Sequence, residues 1–246
     1  MLKKLFSSVL VFCGFAADDF AQNRISDQNE IVWVSTTITP KISNRLNGYL
    51  ELQWRRADWL KSWQQGMVRS GINYKINNEC AVMVGYAYIN TYDYGKYTIA
   101  AQPNTFGEHR IFEQITYASQ SGNITFSNRL RLEQRWLAKY TEINSSKPDD
   151  WSYLNRVRYM PRIDLSINKK VYTSLYDEVF IGFGKNVGQN VFDQNRIALL
   201  AGYKFSKTFK AEFGALYQTV QLARRIDDKN VFQYNTGFIL NTYFNL

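Results

Sequence analysis

The sequence predicts an all-β fold: an antiparallel up-and-down transmembrane β-barrel of about 10–12 strands. Three observations carry that expectation. First, the chain ends on an alternating nonapeptide, with Phe238, Leu240, Thr242, Phe244 and Leu246 on one face and Ile239, Asn241, Tyr243 and Asn245 on the other. A side-chain period of two is that of a strand, and an apolar row running to the terminus needs an apolar surrounding. Second, alternating stretches recur along the chain at lengths of roughly 10 or more residues, which suits strands tilted across a bilayer better than the shorter strands of soluble sheets. Third, aromatic residues make up 16% of the 246 residues, with 17 Tyr, 16 Phe and 6 Trp, as expected of strands bounded by aromatic girdles.

The elements follow in order. Residues 1–21 read as a signal peptide: Lys3 and Lys4 precede a short apolar run, Leu5 to Ala17, and cleavage is placed after Ala21, with Ala16 as the other small-residue site. Cys13 follows Phe12, where a lipoprotein signal wants a small residue. Residues 22–246 are then the barrel. Cys80 is the only cysteine left in it, so neither an intrachain disulfide nor a cysteine metal cluster is available. The formal charge is +9 and cleavage leaves it there, because Lys3, Lys4, Asp18 and Asp19 depart together. The basic residues are spread along strands with no basic helix or run, which argues against a nucleic-acid interface.

Strands are read at 30–39, 44–55, 66–76, 80–90, 108–119, 123–138, 151–167, 171–183, 194–205, 208–221 and 230–246. Short connections (39–43, 76–79, 119–123, 168–170, 206–207) alternate with long ones (56–65, 91–107, 138–150, 184–193, 222–230), the pattern of periplasmic turns and extracellular loops. An even strand number is the norm for a single-chain bacterial barrel. The eleven stretches therefore leave three options: a missed strand, giving twelve; a lumen thread at 22–29; or one stretch that is not a strand.

Parity assigns the faces. Ile197, Leu199, Ala201, Tyr203 and Phe205 alternate with Arg196, Ala198, Leu200, Gly202 and Lys204, and Phe209, Phe213 and Tyr217 alternate with Lys210, Glu212 and Gln218. Arg or Lys at mid-membrane on the lipid side costs ~2–4 kcal/mol, so the charged set faces the lumen. The same rule places Arg129, Arg131, Glu133 and Arg135 inside, and with them Glu51, Arg55, Arg69, Arg110, Arg156, Arg158, Glu178 and Arg196. Such charges must be paired or hydrated. They are expected to crosslink and fill a narrow bore, or else to form a basic lumen that selects anions.

Certain motifs resemble a large uncharacterised family of Gram-negative outer-membrane barrels, catalogued as a domain of unknown function. They are Tyr176-Asp177-Glu178-Val179-Phe180-Ile181-Gly182-Phe183-Gly184 with Phe192-Asp193-Gln194-Asn195-Arg196, Asn128-Arg129-Leu130-Arg131-Leu132-Glu133-Gln134-Arg135-Trp136, and Glu108-His109-Arg110-Ile111-Phe112-Glu113-Gln114. The resemblance covers the mature chain. It implies fold and location, and it carries no activity, substrate or catalytic residue.

The expected function is that of an outer-membrane barrel, structural or narrow and largely plugged. Its partners would be outer-membrane lipid and the barrel-assembly machinery, with an envelope protein docking on the loops as a further role. The first alternative is a small-solute channel preferring anions. The second is a lipid hydrolase such as the outer-membrane phospholipase, a Ser-His-Asn enzyme whose His and Ser lie two apart on one outward strand face. Here the single histidine, His109, is followed two residues later by Ile111, and Ser119 lies roughly 33 Å away along an extended strand. Only Ser127 on a neighbouring strand is left as a nucleophile, so no catalytic residue, cofactor or metal site is assigned. The acidic pairs Asp149-Asp150 and Asp227-Asp228 read as solvated turns, and Tyr92 to Tyr97 as a girdle or plain loop.

Overall fold

A computed structural model describes residues 24–99, 105–142, 145 and 147–246; the signal peptide read at 1–21 lies outside them. The described residues form a closed barrel of eleven strands: β1 (Arg24–Thr39), β2 (Leu46–Ala57), β3 (Ser62–Lys75), β4 (Cys80–Thr91), β5 (Phe106–Ser121), β6 (Ile124–Lys139), β7 (Asp150–Ser166), β8 (Val171–Phe183), β9 (Phe192–Lys204), β10 (Phe209–Ile226) and β11 (Lys229–Asn245). Each pairs antiparallel with the next, but β1 and β11 pair parallel from Arg24 opposite Asn230 to Thr39 opposite Asn245.

That seam corrects the expectation of an even, wholly antiparallel sheet. A parallel ladder also joins backbone donors to acceptors, with slanted bonds at even spacing. An odd number therefore closes without a free edge, and the stretch 22–29, for which a lumen thread was one option, is from Arg24 on the start of β1. Gly237 marks how close the seam runs: a Cβ there would stand 1.7 Å from the Ile31 carbonyl oxygen.

Two of the long connections are also shorter than expected. The β2–β3 link is a turn with Asp58, Trp59 and Leu60 all at positive φ (49°, 51° and 79°). The β10–β11 link is the pair Asp227-Asp228 at φ 49° and 58°, the left-handed geometry of a two-residue hairpin turn, which aspartate tolerates. The long connections 92–105, 140–149 and 184–191 all lie at one end.

The outer wall is apolar from strand to strand: Leu199 (59% exposed), Phe213 (54%), Val84 (54%), Leu175, Leu130 and Ile115 all point away from the bore. Aromatic contacts bound it. At the long-loop end Trp63 meets Tyr92, His109 meets Trp151 and Trp136 meets Tyr153, with ring centroids 5.3, 4.9 and 5.2 Å apart. At the other end Phe205, Phe209 and Phe244 stack in series at 4.9 and 4.7 Å. Glu113 interrupts the wall: it is exposed between Ile111 and Ile115 and accepts a hydrogen bond from Gln134 Nε2 (3.1 Å).

Candidate functional site in the barrel lumen

Two kinds of packing share the bore. Ile31, Trp33, Ala198, Leu200, Leu216 and Ile239 form an apolar wedge from β1, β9, β10 and β11. Against it stands an ionic network from β2, β3 and β5–β9. Parity explains both: every second residue of a strand points inward, and β5–β7 spend those positions on Arg and Glu where β9–β11 spend several on Leu, Ala and Ile.

Glu133 is the hub. It is fully buried, and its Oε2 accepts bonds from Arg156 Nε (2.8 Å) and Nη2 (2.5 Å). Its Oε1 accepts from Arg158 Nη1 (2.7 Å) and Arg110 Nη1 (3.3 Å), with Arg131 Nη1 at 3.9 Å. Glu178 ties Arg158 (2.6 Å) to Arg129 (2.7 Å), with Arg196 at 3.8 Å. Glu108 holds Arg110 and Arg135, each at 2.7 Å, and Glu51 pairs with Arg69. Aromatic faces fill the gaps between cations: Arg131 lies over Phe112 (4.6 Å to the centroid), Arg158 over Phe180 (4.3 Å), and Arg55 and Arg196 over Trp33 (3.9 and 4.8 Å). Stacking of this kind is favourable for a desolvated guanidinium.

The structure thus places all eleven predicted residues (Arg55, Arg69, Arg110, Arg129, Arg131, Glu133, Arg135, Arg156, Arg158, Glu178 and Arg196) inside the barrel. Arg55 is set apart from the rest. Its guanidinium donates only to the amide oxygens of Gln53 and Gln65, and no carboxylate pairs with it among the described residues.

Sequence reasoning missed part of the interior. Arg162 bonds Glu212 (2.5 Å) and Asp164 (2.8 Å), and Tyr172 and Tyr243 also donate to Glu212 (2.8 and 3.0 Å), making a second cluster toward the short-turn end. Arg162 and Asp164 share the parity of Arg156 and Arg158, so the signal was present. Asp193 pairs with Arg156 and gave no such signal, because β8 and β9 shift register between Phe180 and Ile181.

The described part of the connection after β4 is tied to β1, β10 and β11, where a girdle or plain loop was expected. Tyr94 is buried and its hydroxyl accepts from Asn235 Nδ2 (3.1 Å). Asp27 Oδ2 accepts from the backbone amides of Lys96 (3.1 Å) and Tyr97 (3.4 Å), and Arg224 Nε donates to the Thr98 carbonyl (3.0 Å). Gly95 sits at φ +74°, and a Cβ on it would come within 2.6 Å of both Asn29 Oδ1 and Asp27 Oδ2. Only Tyr92, against Trp63, serves the girdle.

His109 belongs to the outer wall. Its Nδ1 meets the Tyr86 hydroxyl at 2.5 Å, and its ring packs on Tyr88 and Trp151. Its cross-strand partner on β6 is Trp136, whereas Ser127 pairs with Ala118. Nine residues of β6 therefore part Ser127 from the histidine, roughly 30 Å at the rise of a strand. Asp149 is not simply solvated: its carboxylate accepts from Thr141 N (2.7 Å) and Oγ1 (2.8 Å), which holds its pKa below the usual range. Among the described residues no group of three or more His, Cys, Asp or Glu is placed to hold a metal.

Comparison with known proteins adds three findings. The chain is 26% identical over 110 residues to an uncharacterized protein of Methylorubrum extorquens, an alignment that covers 44% of this chain and 45% of that relative. The match thus spans less than half of the relative's length. Among solved structures, the NanC porin in a rhombohedral crystal form aligns over 89% of this chain and 99% of that one, at 12% identity and a TM-score of 0.49. Residues 30–230, from within β1 to the start of β11, match the family of proteins of unknown function called DUF2490, and the chain belongs to it.

Proposed function

We propose that this protein is a bacterial outer-membrane barrel with a closed bore, a structural element of the envelope and not an open pore. One pairing of features supports the reading: an outer wall of exposed Leu, Ile, Val and Phe between two aromatic rings, around a lumen crosslinked by buried ion pairs and stopped by the loop that carries Tyr94. In water such a wall would be an aggregation surface, whereas in a bilayer it is the lipid contact. The long loops then face outward and the short turns the periplasm, after residues 1–21 have directed export. Lipid and the assembly machinery are the partners this reading requires. Outer-membrane fractionation and a mobility shift on boiling test the location. Planar-bilayer recording tests the closed bore, where near-zero conductance is expected and a large steady conductance refutes it. The excess of arginine favours anion selectivity as the second reading, and a reversal potential displaced toward the anion would establish it.

A further inference from the structure

The nine lumen arginines meet five carboxylates among the described residues: Glu51, Glu108, Glu133, Glu178 and Asp193. Four positive charges are left over. The lower cluster does not offset them, because Arg162 and Lys210 there face Asp164 and Glu212 and balance. Asp27, engaged with the loop amides, would reduce the excess only to three. Residues 100–104 are Ala, Ala, Gln, Pro and Asn, and the carboxylate of that loop, Asp93, interacts with Arg224, which is outside this count. Uncompensated charge in a water-poor interior is costly, and a protein that keeps it there needs a counter-charge.

Part of the surplus is gathered in one place. A cavity of about 80 Å³ lies beneath Tyr94 and is lined by Arg55, Arg69, Arg110, Arg156, Arg158 and Arg196, against Glu108 and Asp193. A single water needs roughly 10–15 Å³ by the same measure, so the space suits an ion of several heavy atoms. Arg55 has only amide oxygens as acceptors, and Arg196 has Gln194 Oε1 (2.8 Å) with its one carboxylate, Glu178, at 3.8 Å. The Nε atoms of Arg196 and Arg69 are buried without a hydrogen-bond partner, in side chains at least nine-tenths buried. Both guanidinium groups lie over Trp33, 3.9 and 4.8 Å from its ring centroid, and the planar fork of a guanidinium matches a planar or tetrahedral oxyanion.

We propose that this cavity is a binding site for one small oxyanion, held by Arg55 and Arg196 with Arg69 at its edge. The proposal rests on the closed-bore reading for its geometry, but binding to the protein in micelles is measured independently of conductance, so either can fail alone. The test is calorimetric titration of the purified, heat-modifiable protein in chloride buffer with inorganic phosphate, sulfate and acetate, and with glycerol as the uncharged control. Saturable binding at one site per chain is expected for at least one anion and not for glycerol. Phosphate or sulfate alone would identify a tetrahedral oxyanion, and acetate a carboxylate solute.

The double variant R55Q/R196Q should weaken binding at least tenfold, and Arg56→Gln, which lies outside the bore against Trp54 and Trp63, should leave it unchanged. If R55Q/R196Q does not fold, Arg196→Lys keeps the charge, loses the Nε and should still cost several-fold. No saturable binding of any of the three anions, or unaltered affinity in these variants, overturns the proposal.

Discussion

Replacing Glu133 by Gln changes one oxygen to an amide nitrogen and almost no volume, so it isolates the role of charge at the hub of the lumen. Whichever way the new amide turns, its NH₂ faces guanidinium donors, since both carboxylate oxygens now accept only from arginines. Four charge-assisted bonds at ~1.5–3 kcal/mol each would set an upper bound of roughly 6–12 kcal/mol. Most of that is not lost, because Arg158 keeps Glu178, Arg156 keeps Asp193 and Arg110 keeps Glu108. What remains is the cost of leaving buried cations one carboxylate short, about 3–5 kcal/mol.

The assay is equilibrium unfolding in urea from lipid vesicles, read by the heat-modifiable gel mobility, with Glu113→Gln on the outer wall as the matched control. A loss at Glu133→Gln within about 1 kcal/mol of wild type would show that the lumen charges are hydrated, and the crosslinked-bore argument would fall. Adding Arg158→Gln to the same chain removes one of the stranded cations and should recover at least ~1 kcal/mol relative to the sum of the single changes.

Other outcomes follow from neighbouring features. Asp27→Ala removes the acceptor that latches the Lys96 and Tyr97 amides, so new protease cleavage within 92–99 and a rise in conductance are expected, and unchanged protection would show the latch to be idle. Glu113→Leu replaces a charge surrounded by Val84, Ile111, Ile115 and Leu132 and should stabilise the barrel in lipid by about 1 kcal/mol, checked by the same urea titration. The parallel seam is tested with Thr36→Cys and Thr242→Cys in a Cys80→Ser background. Their hydroxyls are 2.9 Å apart across β1 and β11, and neighbouring strands lie ~4.8 Å apart, within disulfide range. Oxidation should crosslink them and shift the unfolded mobility; no crosslink would mean that β1 and β11 are not neighbours.

How much of this was legible in the sequence depends on how local each feature is. Parity is local: Arg156 and Arg158 announce their inward face by alternating with Val157 and Tyr159, and the same alternation on β9 and β10 gives the outer wall. The strands needed nothing more, and their bounds differ mainly where a turn is tighter than its polarity suggests. Asp227-Asp228 is such a case, since two left-handed aspartates let β10 and β11 run on to Ile226 and from Lys229. The strand number was countable as well. Its closure was obscured by the rule of even numbers, and no residue pattern in β1 distinguishes a parallel from an antiparallel neighbour.

Contacts across the bore are a different matter, because they join side chains whose strands do not touch. Trp33 on β1 receives Arg196 from β9, and its Nε1 donates to Gln64 Oε1 on β3 (2.6 Å). Parity says that each of these points inward and says nothing about which will meet. The same holds for the loop: Tyr94 reads as one aromatic among several, and only the closed barrel brings Asn235 and Asp27 beneath it. Charge alone bridges the two levels. Once the apolar rows are put outside, inward arginines outnumber inward glutamates, so an excess of positive charge in the lumen can be counted before its place is known. The structure supplies the place, since Glu108, Glu133, Glu178 and Asp193 lie on the β5–β9 side with Arg110, Arg129, Arg156 and Arg158, and Glu51 is taken by Arg69. Arg55, with only amides and an indole for company, and Arg196, with Gln194, Trp33 and Phe180 around it and Glu178 no nearer than 3.8 Å, are where the surplus collects.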